Sequence, residues 1–391
     1  MFFDAVCEAP PDAIFGMGAA FRADPRPHKV DLMVGIYKNN RLQPEMIPAV
    51  QKAKKEIFEN DLLADYLPFE GWKEGVEALG ELAFGDWWKK IQGKTFSAQT
   101  VGGTAALRLG GEFLAQEVTR WLYMPKPTWP NHRAVLERAG LQLGEYAYYN
   151  REKHRLDVEE LLCDLDQVTE KAAVLFHVVC HNPTGCDPTE EEWKEIARAC
   201  QKKKLLPFFD FAYQGFGENL AKDRRGLEIF LEAGHEMLVA YSCSKNFSLY
   251  CQRVGALFVV GKDSAVKGRI GSQVKRRIRT LYSNPPAHGI RVVGQILKSI
   301  SLKAQWEREL AQMQKRIAGM RALLVERLGE RFTFLKQHKG MFSFADLDKS
   351  QVQRMIEEFA VYLIDNGRIS VAGLNEENLD RVVEALLSVT S

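Results

Sequence analysis

Ala172-Ala-Val-Leu-Phe-His-Val-Val179 is followed closely by Asn182-Pro-Thr-Gly185, then by Thr189-Glu-Glu-Glu192, and then by Leu205-Leu-Pro-Phe-Phe209 ending on Asp210. The first run is short and apolar apart from His177, the pattern of a strand buried on both faces. Asn-Pro and the glycine after it make a turn. Thr189 with Glu192 reads as a capping box, in which hydroxyl and carboxylate satisfy the exposed amides of a helix start reciprocally. Trp193, Ile196, Ala197 and Cys200 continue at helical spacing, and Lys202, Lys203 and Lys204 sit where a helix C-terminus favours cations. Strand, helix and strand in that order imply parallel pairing through a crossover. Met237-Leu-Val-Ala-Tyr241 supplies a further strand, so the expected fold class is α/β with a mostly parallel central sheet. Such sheets bind ligands beyond the carboxyl ends of their strands, and Asn182, Asp210 and Lys245 are all expected there.

Outward from this unit, 391 residues is long for a single hydrophobic core and favours two domains. Trp306, Leu310, Met313, Ile317 and Met320 mark a long helix. Phe332-Thr-Phe-Leu335 and Gly340-Met-Phe-Ser-Phe344 read as strands of a smaller α+β unit, closed by a helix carrying Leu379, Val382, Val383 and Leu386. A large domain is expected over 45–312, and a small one from 313–391 completed by 1–44. With 53 basic against 51 acidic residues the net charge is +2, which argues against a nucleic-acid binder. No apolar run has the length of a membrane span, and the N-terminus lacks a basic segment leading into a hydrophobic one. Seven cysteines form no C-x-x-C pair, consistent with a reducing cytoplasm. Cys180, His181 and Cys186 are close enough in sequence for metal ligation, but the intervening turn explains the segment better, and no metal is expected.

Chemistry concentrates in Tyr241-Ser-Cys-Ser-Lys-Asn-Phe-Ser-Leu-Tyr-Cys-Gln-Arg253. An amine flanked by hydroxyls, with a guanidinium eight positions on, suits an aldehyde cofactor that carries a phosphate. A lysine in a polar loop is more often merely solvated, so the reading rests on further motifs. Gly102-Gly103-Thr104 opens a helical pattern, where backbone amides and the helix dipole favour an anion; the plainer alternative is a capped glycine turn. The spacing matches neither a Walker loop nor a dinucleotide fingerprint. Asp210 can pair with a protonated pyridine nitrogen, and Asn182 and Tyr213 can reach a phenolic oxygen on the same ring. Trp129 offers an aromatic face for stacking, although tryptophans more commonly fill cores. Arg368, inside Gly367-Arg-Ile-Ser-Val-Ala-Gly373, presents a fork suited to a carboxylate.

These residues resemble the fold-type I, pyridoxal-phosphate-dependent aspartate aminotransferases. The resemblance runs from Phe21-Arg-Ala-Asp24 and Val34-Gly-Ile-Tyr-Lys38 to Arg368. It is most specific at His181-Asn-Pro-Thr-Gly185, Phe209-Asp-Phe-Ala-Tyr-Gln-Gly-Phe216, Ser242-Cys-Ser-Lys-Asn-Phe247 and Tyr282-Ser-Asn-Pro-Pro-Ala-His-Gly289. It implies that Lys245 holds the cofactor aldehyde as a Schiff base and that Asp210 pairs with the pyridinium, supported by His132. Asn182 and Tyr213 would donate to the phenolic oxygen, Trp129 would stack, and Gly103, Thr104, Ser242, Ser244 and Arg253 would cup the phosphate. Arg368 would clamp the substrate α-carboxylate, with Gly35, Trp129 and Asn182 beside the substrate. Tyr66 and Arg279 match groups that reach the site from a neighbouring subunit, Tyr66 to the phosphate and Arg279 to a side-chain carboxylate. Relatives also carry a cis bond at the place of Asn182-Pro183.

The resemblance therefore implies a homodimeric enzyme that moves the amino group of L-aspartate to 2-oxoglutarate in a ping-pong reaction. An aromatic amino-acid aminotransferase with the same apparatus is the alternative, if the second arginine moves aside. A catalytically silent cofactor-binding module would need an added domain and no Lys245, and a nicotinamide dehydrogenase would need a different glycine motif. An ordinary lysine has a pKa of about 10.4, so Lys245 must sit lower to act as a base near neutrality.

Overall fold

A computed structural model describes residues 1–8, 13–60 and 65–391. Its central sheet has seven strands, in spatial order Thr95–Val101, Val254–Val260, Met237–Ser242, Leu206–Phe211, Ala173–His177, Trp121–Lys126 and Gln142–Ala147. Val254–Val260 runs antiparallel to both of its neighbours, and every other pairing is parallel.

Successive side chains of a strand point to opposite faces, and here both faces are apolar. Val174, Phe176, Phe209, Val239 and Phe258 join one buried cluster, with Trp193, Ile196 and Phe230 from the covering helices. Ala173, Leu175, Phe208, Leu238 and Leu257 join the other, with Leu107, Leu109, Phe113 and Ile278. That two-sided burial is why the strands read as continuous apolar runs. The helix Glu190–Lys202 begins at the expected capping box: Thr189 Oγ1 accepts from the Glu192 amide at 3.2 Å, and the Thr189 amide donates to Glu192 Oε2 at 2.7 Å.

Smaller pairings lie at the chain ends. Val30–Asp31 runs parallel to Val361–Tyr362, and Phe342–Phe344 runs antiparallel to Arg368–Ser370. The helix Ile300–Leu328 packs against the helices Pro48–Asn60 and Ala287–Lys298 and also against Glu376–Thr390. Its buried Trp306 stacks on Phe247 with ring centroids 4.5 Å apart, and the Trp306 indole donates to the Asn246 carbonyl at 2.7 Å. The loop after Met237–Ser242 is thereby fixed against a long rigid element. Among the described residues, no helix is long and apolar enough to cross a membrane.

Two expectations need correction. Phe332-Thr-Phe-Leu335 is not a strand but part of a 3₁₀ segment, Glu330–Gln337. Gly329, at φ +79°, ends the long helix, and burial of Phe332 and Leu335 three residues apart fits a threefold helix rather than an alternating strand. Asp210 lies inside Leu206–Phe211 rather than after it, paired in register with His177 at the end of Ala173–His177.

Candidate active site

At the carboxyl ends of the parallel strands lies a cavity of about 250 Å³. Its walls include Gly35, Gly103, Thr104, Trp129, Asn182, Asp210, Tyr213, Ser242, Ser244, Lys245, Arg253 and Arg368. These come from the N-terminal segment, the first turn of the helix Gly102–Glu117, three strand ends, the loop after Met237–Ser242 and the strand Arg368–Ser370. His132 stands behind the wall, its Nε2 3.1 Å from Asp210 Oδ2 and its Nδ1 2.8 Å from Thr128 Oγ1. The peptide bond Asn182–Pro183 is cis.

One end of the cavity is built to hold an anion. Gly102 takes φ +75°, and a Cβ on Gly103 would come within 2.9 Å of Ser242 Cβ, so the backbone there is open only because both residues are glycine. Facing this turn, Arg253 donates to Ser244 Oγ at 3.2 Å and to the Tyr250 carbonyl at 3.0 Å. The opposite end is anionic. Burial would push the Asp210 carboxyl up, but the His132 hydrogen bond, together with nearby His132, His177 and Lys245, holds it below the usual carboxylate range. Lys245 lies between the two ends, its Nζ 4.9 Å from the centre of the Tyr213 ring. Burial lowers its pKa to about 8; Asp210 opposes the shift, and Arg253 and Arg368 add to it.

Arg368 is almost completely buried. One terminal nitrogen donates to Asn182 Oδ1 at 2.9 Å, another to the Met33 carbonyl, and its Nε has no partner. Burial lowers its pKa to about 10, still far above neutrality. The guanidinium carbon lies 4.1 Å from the centre of the Phe342 ring, which supports it by a cation–π contact. A Cβ at Gly35 would come within 2.6 Å of that ring, so glycine is needed there for close packing.

The residues present fit pyridoxal phosphate. A glycine-lined cup with hydroxyl and guanidinium donors suits a dianionic phosphate, a buried carboxylate suits a protonated ring nitrogen, and an amine of lowered pKa sits between them. Two sequence candidates stand elsewhere. Tyr66 is 85% exposed, and Arg279 is exposed in a separate open cavity of about 710 Å³ beside Phe69, Glu70 and Asn284. The Asn284 side chain donates to the Leu67 carbonyl at 2.6 Å, which brings the Tyr66 and Arg279 segments together on one surface.

Sequence reasoning missed His177 and Phe342. His177 lines the cavity, its ring centroid 5.2 Å from that of His132 and both its nitrogens without partners; burial lowers its pKa to about 3. A lone histidine in an apolar strand was the available clue. Phe342 carried none, because a strand phenylalanine is ordinary core until Arg368 is seen against it.

Comparison with known proteins agrees with this geometry. Residues 27–386 match the family model for aminotransferase class I and II. The chain is 44% identical, over 99% of its length and 100% of the relative's, to an aspartate aminotransferase of Escherichia coli strain K12. It is 39% identical to an aromatic-amino-acid aminotransferase of Pseudomonas aeruginosa, over 99% of this chain and 98% of that one. Among solved structures it resembles an aromatic-amino-acid aminotransferase of Burkholderia pseudomallei covalently bound to pyridoxal phosphate, with a TM-score of 0.96, 39% identity and full coverage of both chains.

Proposed function

The chain belongs to the aminotransferase class I and II family, and from that premise we propose that it moves the amino group of L-aspartate to 2-oxoglutarate, forming oxaloacetate and L-glutamate. The observation that carries the reading is a single cavity joining Lys245, the Asp210–His132 pair, the glycine-lined cup and Arg368. Aspartate is placed ahead of aromatic amino acids because an aspartate aminotransferase shares 44% identity over its full length, against 39% for the aromatic relative.

Pyridoxal phosphate, when bound, supplies an aldehyde that exchanges with amines and a ring that accepts electrons from the substrate Cα. In our reading, Lys245 would hold the cofactor through its aldehyde, and its lowered pKa suits it to yield that position to a substrate amine. As a neutral amine, Lys245 would serve as the base for the substrate Cα proton. Asp210, steadied by His132, would hold the protonated ring nitrogen, and Asn182 and Tyr213 would donate to the phenolic oxygen. Trp129 covers one ring face. Gly103, Thr104, Ser242, Ser244 and Arg253 bind the phosphate, and Arg368, beside Gly35 and Asn182, receives the substrate α-carboxylate. Because one site would serve both the amino acid and the oxo acid in turn, the kinetics would be ping-pong.

Tyr66 and Arg279 act, in this proposal, in the site of a partner subunit. Both are exposed and outside their own chain's cavity, which supports a homodimer with shared sites. We place the large domain at 45–312 and the small one at 1–44 with 313–391. The central sheet lies within the first range, and the Val30–Asp31 and Arg368–Ser370 pairings lie within the second. A cytoplasmic location accords with the unpaired cysteines.

The test is the visible spectrum of the holoenzyme before and after excess aspartate, and separately tyrosine. Conversion of the bound-cofactor band by aspartate is expected. Conversion by tyrosine alone would transfer the assignment to aromatic substrates, and no band after addition of pyridoxal phosphate would refute it.

A further inference from the structure

A second cavity, of about 220 Å³, lies between the helix Ile300–Leu328, the segment Lys336–Lys339 and the loop at Phe216–Gly217. Its polar lining comprises the cations Arg321, Lys336 and Lys339, the His338 ring, and Gln314, whose amide donates to the Gly217 carbonyl at 3.0 Å. Arg321, 5% exposed, gives its Nε to Ser343 Oγ at 3.0 Å and one terminal nitrogen to the Gly340 and Phe342 carbonyls. Its other terminal nitrogen meets no acceptor, and no carboxylate pairs with it among the described residues. A buried guanidinium bonded only to neutral groups is costly, and burial indeed lowers its pKa to about 10.

His338, 3% exposed, also lines the cavity. Its Nδ1 lies 3.3 Å from the Phe344 amide and accepts from it, which places the ring proton on Nε2. That Nε2 has no partner. Burial, with Arg321 and His154 nearby, lowers the His338 pKa to about 3, so the ring is neutral and its Nε2–H is a free buried donor. Lys336 adds an exposed ammonium, and Lys339 adds another that is already paired with Glu218 at 2.6 Å.

We propose that this cavity is a binding site for a small oxyanion, held by Arg321 and Lys336, with the neutral His338 ring in its wall. The required ligand chemistry is that of a compact acceptor-only group, either free phosphate or the carboxylate of a small metabolite. An anion bound at the remaining terminal nitrogen of Arg321 would offset the charge of that buried guanidinium. The position also bears on the first cavity: Arg321 holds the carbonyls of Gly340 and Phe342, and the Phe342 ring lies against Arg368.

The test is calorimetric titration of the cofactor-loaded enzyme, whose own phosphate cup is filled, with inorganic phosphate and separately with acetate. Wild-type protein should bind at least one of them in a saturable step. Lys336→Glu, a change at an exposed position, should weaken that step at least tenfold while leaving aspartate turnover in buffer free of phosphate and acetate unchanged. Arg279→Leu should leave the step intact, which separates it from binding at the cavity beside Glu70. Tighter phosphate or tighter acetate would identify the source, and both outcomes support the site. No saturable binding, or equal binding by wild type and Lys336→Glu, would overturn it.

Discussion

Lys245 concentrates the chemistry at the residue scale. Lys245→Ala should abolish transamination, while equilibrium dialysis still detects pyridoxal phosphate held through the phosphate cup. Undiminished turnover would remove Lys245 from the mechanism. The lowered pKa of about 8 gives a pH prediction with a definite sign. Only the neutral amine captures an aldehyde, and at pH 7 a group of pKa 8 is neutral in roughly one molecule in ten. The rate at which the apoenzyme captures pyridoxal phosphate should therefore rise about tenfold between pH 7 and 9, then level off. A rate still climbing steeply at pH 10 would mean that Lys245 titrates as an ordinary lysine. The lysine, its flanking hydroxyls and Arg253 were legible in one sequence motif because they lie within one loop. Phe342 was not, since its contact with Arg368 joins two strands whose pairing no local pattern announces.

Elements place these side chains, and local rules govern most of the elements. The capping box at Thr189 was readable because both reciprocal hydrogen bonds span only three residues. Thr189→Ala should cost about 1 kcal/mol in urea denaturation, with little change in activity, because the helix start lies away from the cavity. A loss under about 0.3 kcal/mol would show that water replaces the hydroxyl without penalty. The 3₁₀ segment Glu330–Gln337 was misread because Phe-Thr-Phe-Leu alternates like a strand, while its burial at Phe332 and Leu335 follows a period of three. Which side of so short a segment meets the core depends on how the long helix before it ends.

At the scale of the whole molecule, the distance between sequence motif and site matters most. Tyr66 and Arg279 were assigned by the same resemblance as Lys245, yet neither lines the cavity of its own chain. If Arg279 serves the partner, Arg279→Leu should reduce aspartate turnover far more than tyrosine turnover. Loss of a buried charged pair costs about 2–5 kcal/mol, or roughly thirty- to several-thousand-fold. Equal losses on both substrates would separate Arg279 from side-chain recognition. Mixing Lys245→Ala chains with Arg279→Leu chains under exchange should restore aspartate turnover to about a quarter of the wild-type value. Half of randomly paired dimers are mixed, and each mixed dimer has one intact site. No restoration by exchanged dimers would place Arg279 in the same chain's site.

The sequence by itself determined the α/β class, the family, and the candidate lysine, aspartate and glycine turn, because each rests on short-range periodicity or on a contiguous motif. Only the tertiary structure decided which groups share a cavity. It set Arg368 against Asn182 across 186 residues and packed Phe342 beneath it, and it left Tyr66 and Arg279 outside. The physical reason is range. Capping, turns and strand alternation act over a few residues, whereas burial of a charge and its pKa depend on chain segments brought together only by the folded core.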